Sequence, residues 1–124
     1  MTMPGLRRSR EPGPALDRVF DRDHLARYTL QNAELEMEII RLFLDQLPVS
    51  IAHLRNAGNL TDWKLATHTL KGAAAAIGAT RIHELAAALE ACKPGPDGAE
   101  IASLIASLDK AVEQFRQAIS QVLG

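Results

Sequence analysis

The sequence predicts an all-α protein, an antiparallel four-helix bundle with a short extra helix at its N-terminal side. Three observations predict it. Alanine and leucine dominate while aromatic residues make up only 4% of the chain, a balance that favours helix over sheet. Four stretches carry apolar residues three and four apart, and none sustains the alternation of a strand. The punctuation between those stretches is short, which makes sequential helices antiparallel neighbours.

The elements follow in order. Residues 1–15 hold Pro4, Gly5, Arg7, Arg8, Arg10, Pro12, Gly13 and Pro14. That composition cannot bury apolar surface and predicts a disordered tail, with the helical domain spanning 16–124. Leu16, Val19 and Phe20 bring the first apolar side chains, and Asp23 is placed to cap a short helix lying across one end of the bundle. Asn32 caps the next helix, with Glu34 and Glu36 in the first turn, where the helix dipole favours acids. Its stripe reads Leu35, Ile39, Leu42, Phe43 and Leu47; Pro48 predicts a kink, and Ile51 and Leu54 carry the helix about two turns further.

The third long segment runs from Thr61-Asp62, a capping residue and a first-turn acid, to Ile77. Gly78 predicts its stop and Thr80 the cap of the helix that follows. That helix buries Ile82, Leu85, Ala86 and Leu89 and ends before Lys93-Pro94-Gly95-Pro96-Asp97-Gly98. Asp97 and Glu100 have the spacing of a capping box. Ile101, Leu104, Ile105, Leu108, Val112, Phe115, Ile119 and Val122 form the seam of the last helix.

Composition excludes several classes of function. A formal charge of −1 gives no general attraction to nucleic acid or to an anionic membrane surface. No apolar run approaches a membrane span, and the N-terminus lacks the apolar core of a signal peptide. Cys92 is the single cysteine, so no internal disulfide can form. A cytoplasmic location is the expectation.

One stretch breaks the pattern of a plain bundle: His68-Thr69-Leu70-Lys71-Gly72-Ala73-Ala74-Ala75-Ala76-Ile77-Gly78. At about 100° per residue, Trp63, Ala66, Leu70, Ala73, Ala74 and Ile77 gather on the side to be buried. His68 points almost directly opposite, flanked by Thr61, Lys64, Lys71, Gly72 and Ala75. A histidine serving the core would sit inside the stripe. Gly72, one turn on, costs about 1 kcal/mol relative to alanine in a helix interior. With Ala75 it leaves the surface beside the imidazole bare, which a macromolecule needs for close approach. Lys64 and Lys71, at i−4 and i+3, place positive charge where an anion would arrive at the ring. Each lysine alone would read as a solvated helix face; the histidine between them changes that reading.

Ala66-Thr67-His68-Thr69-Leu70-Lys71-Gly72, together with Gly78-Ala79, Leu85-Ala86 and Leu89-Glu90, resembles the histidine-containing phosphotransfer (HPt) domain. The resemblance covers the chain from about Leu16 onward. It implies that His68 is the phosphoacceptor, that Lys71 supports the phosphoryl group and that Gly72 gives a partner access. A Gln or Glu at the position of Glu90 in this family can hydrogen-bond the imidazole from the neighbouring helix. Thr67 stands where alanine is common, and Ala73 to Ala76 lack the serine and asparagine often found there. Those departures bear on partner preference.

With that resemblance, the exposed His68 and a sequence without a kinase or receiver domain lead to the expectation of a stand-alone phosphorelay intermediate. His68 would shuttle a phosphoryl group between aspartates of response-regulator receiver domains downstream of a hybrid histidine kinase. Lys64, Lys71, Gly72 and Ala75 would meet the partner, and the protein would act as a monomer. The sequence has no phosphate-cradling glycine loop and no acidic cluster for Mg²⁺. It is therefore expected to be a carrier without ATP binding or kinase activity, without a cofactor, the Mg²⁺ residing on the receiver. His24, His53 and His83 are not spaced at i+3 or i+4 from one another or from His68, so no metal site is expected. Ala74 to Ile82 also has the small-residue-then-turn pattern of a helix-turn-helix. The helix after the turn offers only Arg81 and His83 near its start, too little basic character for phosphate contacts with DNA.

Overall fold

The computed structural model describes residues 19–123, and the expected tail at 1–15 and Leu16 lie outside them. Five helices occur among the described residues: α1 (Arg22–Tyr28), α2 (Ala33–Asn56), α3 (Leu60–Ile77), α4 (Thr80–Ala91) and α5 (Gly98–Leu123). The four long ones form the bundle the sequence predicts. α2 packs on α3, α3 on α4, α4 on α5, and α5 returns to α2. Aromatic residues are few in the core: at one end Phe115 of α5 meets Phe20 and Phe43 edge-to-face, each at 5.5 Å between ring centres, and Trp63 is buried on α3. Phe115 and Phe20 are fully buried, so the segment before α1 closes that end of the bundle.

Several local expectations are corrected. α1 is capped by Asp21, not Asp23: the Asp21 carboxylate accepts the amide of His24 at 3.0 Å. Asp21 is fixed there because its own amide donates to the Gly78 carbonyl at the end of α3, at 2.6 Å. α3 is capped by Asn59 rather than Thr61, its side-chain oxygen accepting the Asp62 amide at 2.8 Å. The residue in the cap position of α4 is Ala79, with Thr80 already in the helix. Asp97 opens α5 with its carbonyl, which accepts from Ile101, while its carboxylate accepts the Lys93 amide at 2.7 Å and closes the loop. Asn32 does cap α2, accepting from Leu35 at 3.1 Å.

Two buried stripes are rotated from the expectation. In α2, Leu35 and Leu42 face solvent, and the buried line is Glu36, Ile40, Phe43, Leu47 and Leu54. Glu36 can be buried because Arg22 donates to its carboxylate at 3.1 Å, tying α1 to α2. In α3 the buried line is Trp63, Thr67, Leu70, Ala74 and Ile77, while Ala73 is exposed. Thr67 is tolerated there because its hydroxyl donates to the Trp63 carbonyl at 2.9 Å, one turn back. Pro48 sits on the exposed side of a helix that continues to Asn56, so the hydrogen bond it deletes falls on the water side.

Gly78 ends α3 as expected, in the left-handed region at φ 84°. A side chain there would also strike the Asp21 carbonyl oxygen, 2.6 Å from where a Cβ would stand. Both facts demand glycine. The buried stripe of α4 is the predicted Ile82, Leu85, Ala86 and Leu89. α5 buries Ile105, Leu108, Ala111, Phe115 and Ala118, with Ile101, Leu104, Val112 and Ile119 at the margin; the side chain of Val122 lies outside the described residues.

Candidate functional site

α3 and α4 build the site together, and the anchoring begins in the core. Trp63 is buried, and its indole N–H lies between two carbonyls at the end of α4, Leu89 at 3.2 Å and Cys92 at 3.1 Å. One residue along α3, the Lys64 ammonium donates to the carbonyl of Glu90 at 2.8 Å. The last turn of any helix leaves carbonyls without intrahelical partners and carries the negative end of the dipole. α4 has no basic residue of its own in that turn. Consecutive side chains of α3 supply both needs, and in doing so they fix where Glu90 stands.

Glu90 then reaches back to α3. Its Oε2 lies 3.2 Å from Nδ1 of His68, and its Oε1 accepts from the Lys71 ammonium at 2.6 Å. Oε2 can only accept, so the proton of a neutral imidazole sits on Nδ1 and the lone pair on Nε2. The His68 side chain is 71% exposed, against 23% for Glu90 and 31% for Lys71. The ring is thus held at one nitrogen and open around the rest. The Lys71 hydrogen bond holds the Glu90 carboxyl below its ordinary value; partial burial opposes this and the His68 hydrogen bond adds to it. Glu90 is therefore charged at neutral pH.

Gly72 and Ala75 are exposed on the same stretch of α3. A Cβ built on Gly72 would meet no atom within 4 Å. The fold does not require glycine at this position, which leaves the open surface as its physical consequence. On the other side of His68, Leu65 and Thr69 share a cleft with Ser50, His53 and Asp62, and Ala73 and Ala76 share a second with Ile39, Leu42 and Gln46. Leu42 and Leu65 are more than half exposed there.

His68, Lys71, Glu90 and Lys64 are brought into one cluster. The sequence reading places Lys64 beside the imidazole; in the structure its ammonium is engaged with the Glu90 carbonyl instead. His83, set aside in the sequence both as a metal ligand and as a contact to DNA, joins the site in the structure. Its Nδ1 donates to the Lys71 carbonyl at 3.1 Å, a further bridge between α4 and α3. Its i, i+7 spacing to Glu90 was the available signal, since two turns put both on one face of α4. His24 lies elsewhere, its Nε2 donating to the Ala76 carbonyl at 3.1 Å. Among the described residues no three His, Cys, Asp or Glu side chains gather where a metal could be held. No helix among them is long and apolar enough to cross a membrane.

The structure thus presents an exposed histidine on the second long helix of a four-helix bundle, braced from the third. The family model for the Hpt domain matches residues 38–122. No curated protein sequence matches the chain. Among solved structures, the HPt domain of an Hpt sensor hybrid histidine kinase from Shewanella is similar in fold. The TM-score is 0.67 at 20% sequence identity, over 89% of this chain and 100% of that one. The chain belongs to the HPt domain family. HPt domains serve histidine phosphotransfer in phosphorelays and interact with receiver domains and histidine kinases.

Proposed function

We propose that this protein is a phosphorelay intermediate in which His68 takes a phosphoryl group from the aspartate of one receiver domain and gives it to another. The observation that carries the reading is the His68 ring, pinned through Nδ1 by Glu90 while the remainder stands exposed beside Gly72. Nε2 is then the nucleophile. It attacks phosphorus in line with the bond to the aspartyl oxygen, and that bond's electron pair leaves on the receiver's carboxylate. Glu90 fixes the tautomer and the ring plane, which removes the orientational cost of attack. Lys71 supplies charge to the arriving oxygens as a mobile ammonium. Positioning and charge neutralisation account for most of the catalysis of phosphoryl transfer, so no further acid or base is required of this chain.

In this reading the receiver brings the aspartate and Mg²⁺, and the chain itself needs no cofactor and binds no ATP. The receiver covers His68, Gly72 and Ala75 and extends over the clefts lined by Leu42, Leu65, Ala73 and Ala76, where apolar surface lies open next to the reacting nitrogen. A hybrid histidine kinase stands upstream, and the carrier works as a cytoplasmic monomer. The test is to mix the protein with a receiver phosphorylated by labelled donor and to follow label stable to base but lost in acid. The wild type gains it and His68→Gln does not. Label acquired by the glutamine variant would overturn the assignment of His68.

A further inference from the structure

We infer that Glu90, as a carboxylate rather than a neutral acceptor, shortens the lifetime of the phosphoryl group on His68 and makes the protein a fast relay instead of a store. The inference rests on the function proposed above and concerns the same site. An amide at position 90 would accept the same hydrogen bond from Nδ1. The carboxylate adds a charge, and the charge acts on the phosphorylated ring.

When Nε2 forms its bond to phosphorus, the proton already on Nδ1 stays where it is, so the ring becomes cationic. In the forward step to the next receiver, the N–P bond breaks and its electron pair returns to Nε2. With Nδ1 still protonated, the leaving group is neutral imidazole. With Nδ1 stripped of its proton, the leaving group would be imidazolate, a far poorer one. Anything that keeps the proton on Nδ1 therefore speeds departure, whether the acceptor is an aspartate or water. Oε2 of Glu90 lies 3.2 Å from Nδ1 and favours the cationic ring.

Lys71 couples this effect to the arrival of the phosphoryl group. Before transfer its ammonium is 2.6 Å from Oε1 of Glu90 and compensates much of the carboxylate charge. A phosphoryl group on Nε2 competes for that ammonium with more charge and more acceptor oxygens. As Lys71 turns to it, the charge of Glu90 is left to the ring. The other ionisable groups around the pair are already engaged with backbone: Lys64 with the Glu90 carbonyl and His83 with the Lys71 carbonyl. The Lys64 ammonium and the His83 imidazole thus lie on backbone carbonyls rather than on the Glu90 carboxylate.

The experiment compares wild type with Glu90→Gln, both phosphorylated directly by phosphoramidate so that no receiver is needed. Decay of the phosphohistidine at neutral pH is followed by ³¹P NMR. The glutamine variant is expected to decay about five- to tenfold more slowly, the difference between a charge-assisted and a neutral hydrogen bond expressed as a rate, and to load a receiver more slowly by a similar factor. Equal decay rates would overturn the inference. A second measurement needs only the wild type: ¹⁵N NMR of the phosphorylated ring should show Nδ1 carrying its proton at neutral pH, and a bare Nδ1 would overturn the inference even if the variant could not be loaded. Failure of wild-type His68 to accept phosphoryl from any donor would instead defeat the proposed function.

Discussion

The two flanks of His68 are built from different chemistry. Toward α4 the neighbours are Lys71, Glu90, Lys64 and His83, each with a polar partner across the helix pair. Toward α2 they are Leu65 and Thr69, sharing an open cleft with Ser50 and His53, and Ala73 and Ala76, sharing another with Ile39 and Leu42. The first flank holds the ring at Nδ1 and so selects its tautomer. The second has few such bonds to offer and leaves apolar surface uncovered. The proposed phosphoryl carrier needs both: a fixed nucleophile, and a surface on which a receiver gains binding energy without disturbing it.

The largest effect is expected on the apolar flank. Leu42→Glu should raise the receiver concentration needed for half-maximal transfer by roughly 10- to 100-fold, the equivalent of failing to bury one leucine. The maximal rate should be unchanged, because Leu42 touches none of the groups around the ring. Leu30→Glu, at a leucine still more exposed but distant in the chain from this groove, is the control and should behave as wild type. Stopped-flow titration with a phosphorylated receiver separates the two parameters.

A smaller effect is expected from the anchor of the polar flank. Trp63→Phe keeps the ring and removes the indole donor, leaving buried carbonyls of Leu89 and Cys92 short of a partner. Denaturant unfolding should show a loss of about 1–3 kcal/mol. If the loosened α4 end lets Glu90 drift, the maximal transfer rate falls as well, the reverse of the Leu42 pattern. Between the flanks, Gly72→Ala should stabilise the helix by about 1 kcal/mol, since nothing lies in the way of the methyl group. Gly72→Leu should leave helicity by circular dichroism intact while slowing transfer, because the added side chain covers the approach to the ring.

The smallest effect is in acid. The carboxyl of Glu90 is lowered in the folded protein, first by Lys71 and then by His68, against partial burial. The folded state therefore binds fewer protons than the unfolded chain in that window. Its contribution to stability is complete above the ordinary carboxylate value and is lost as pH falls through the lowered one. Glu90→Gln should remove this part of the acid dependence, seen as a flatter unfolding midpoint between neutral pH and the acid side of the carboxylate range. The site is partly exposed, so solvent screening keeps the difference modest.

Much of the fold was legible because periodicity and punctuation agree. The stops at Gly78 and at the Lys93–Gly98 loop, and the seams of α4 and α5, follow from residue type alone. The misplaced caps share a cause: Asp21 and Asp23, or Asn59, Thr61 and Asp62, are near-equivalent candidates, and tertiary bonds such as Asp21 to Gly78 choose between them. The rotation of the α2 stripe was hidden because Leu35 and Leu42 are apolar yet exposed, and because Glu36 is buried only by virtue of Arg22. In α3, an alanine-rich helix has no size contrast to tell Ala73 from Ala74, or to show that Thr67 bonds its own helix and goes inside. Leu30 and Gln31 adopt left-handed φ values of 55° and 62° between α1 and α2, with no glycine to announce it.

The site divides the same way. His68, Lys71 and Gly72 share one helix, so their common face could be read from spacing. Glu90 and His83 depend on the register of α4 against α3, which no single-helix period contains. The motif resemblance supplied Glu90; for His83 the i, i+7 spacing to Glu90 marks only a shared face of α4, and its bond to the Lys71 carbonyl emerges from packing.

The most direct measurement is the position of phosphorus on the ring. Protein labelled with ¹⁵N in histidine, phosphorylated by a receiver, can be read by ³¹P–¹⁵N coupling. Glu90 on Nδ1 predicts phosphorus bonded to Nε2 of His68. Coupling to Nδ1, or phosphorus on any other residue, would contradict it.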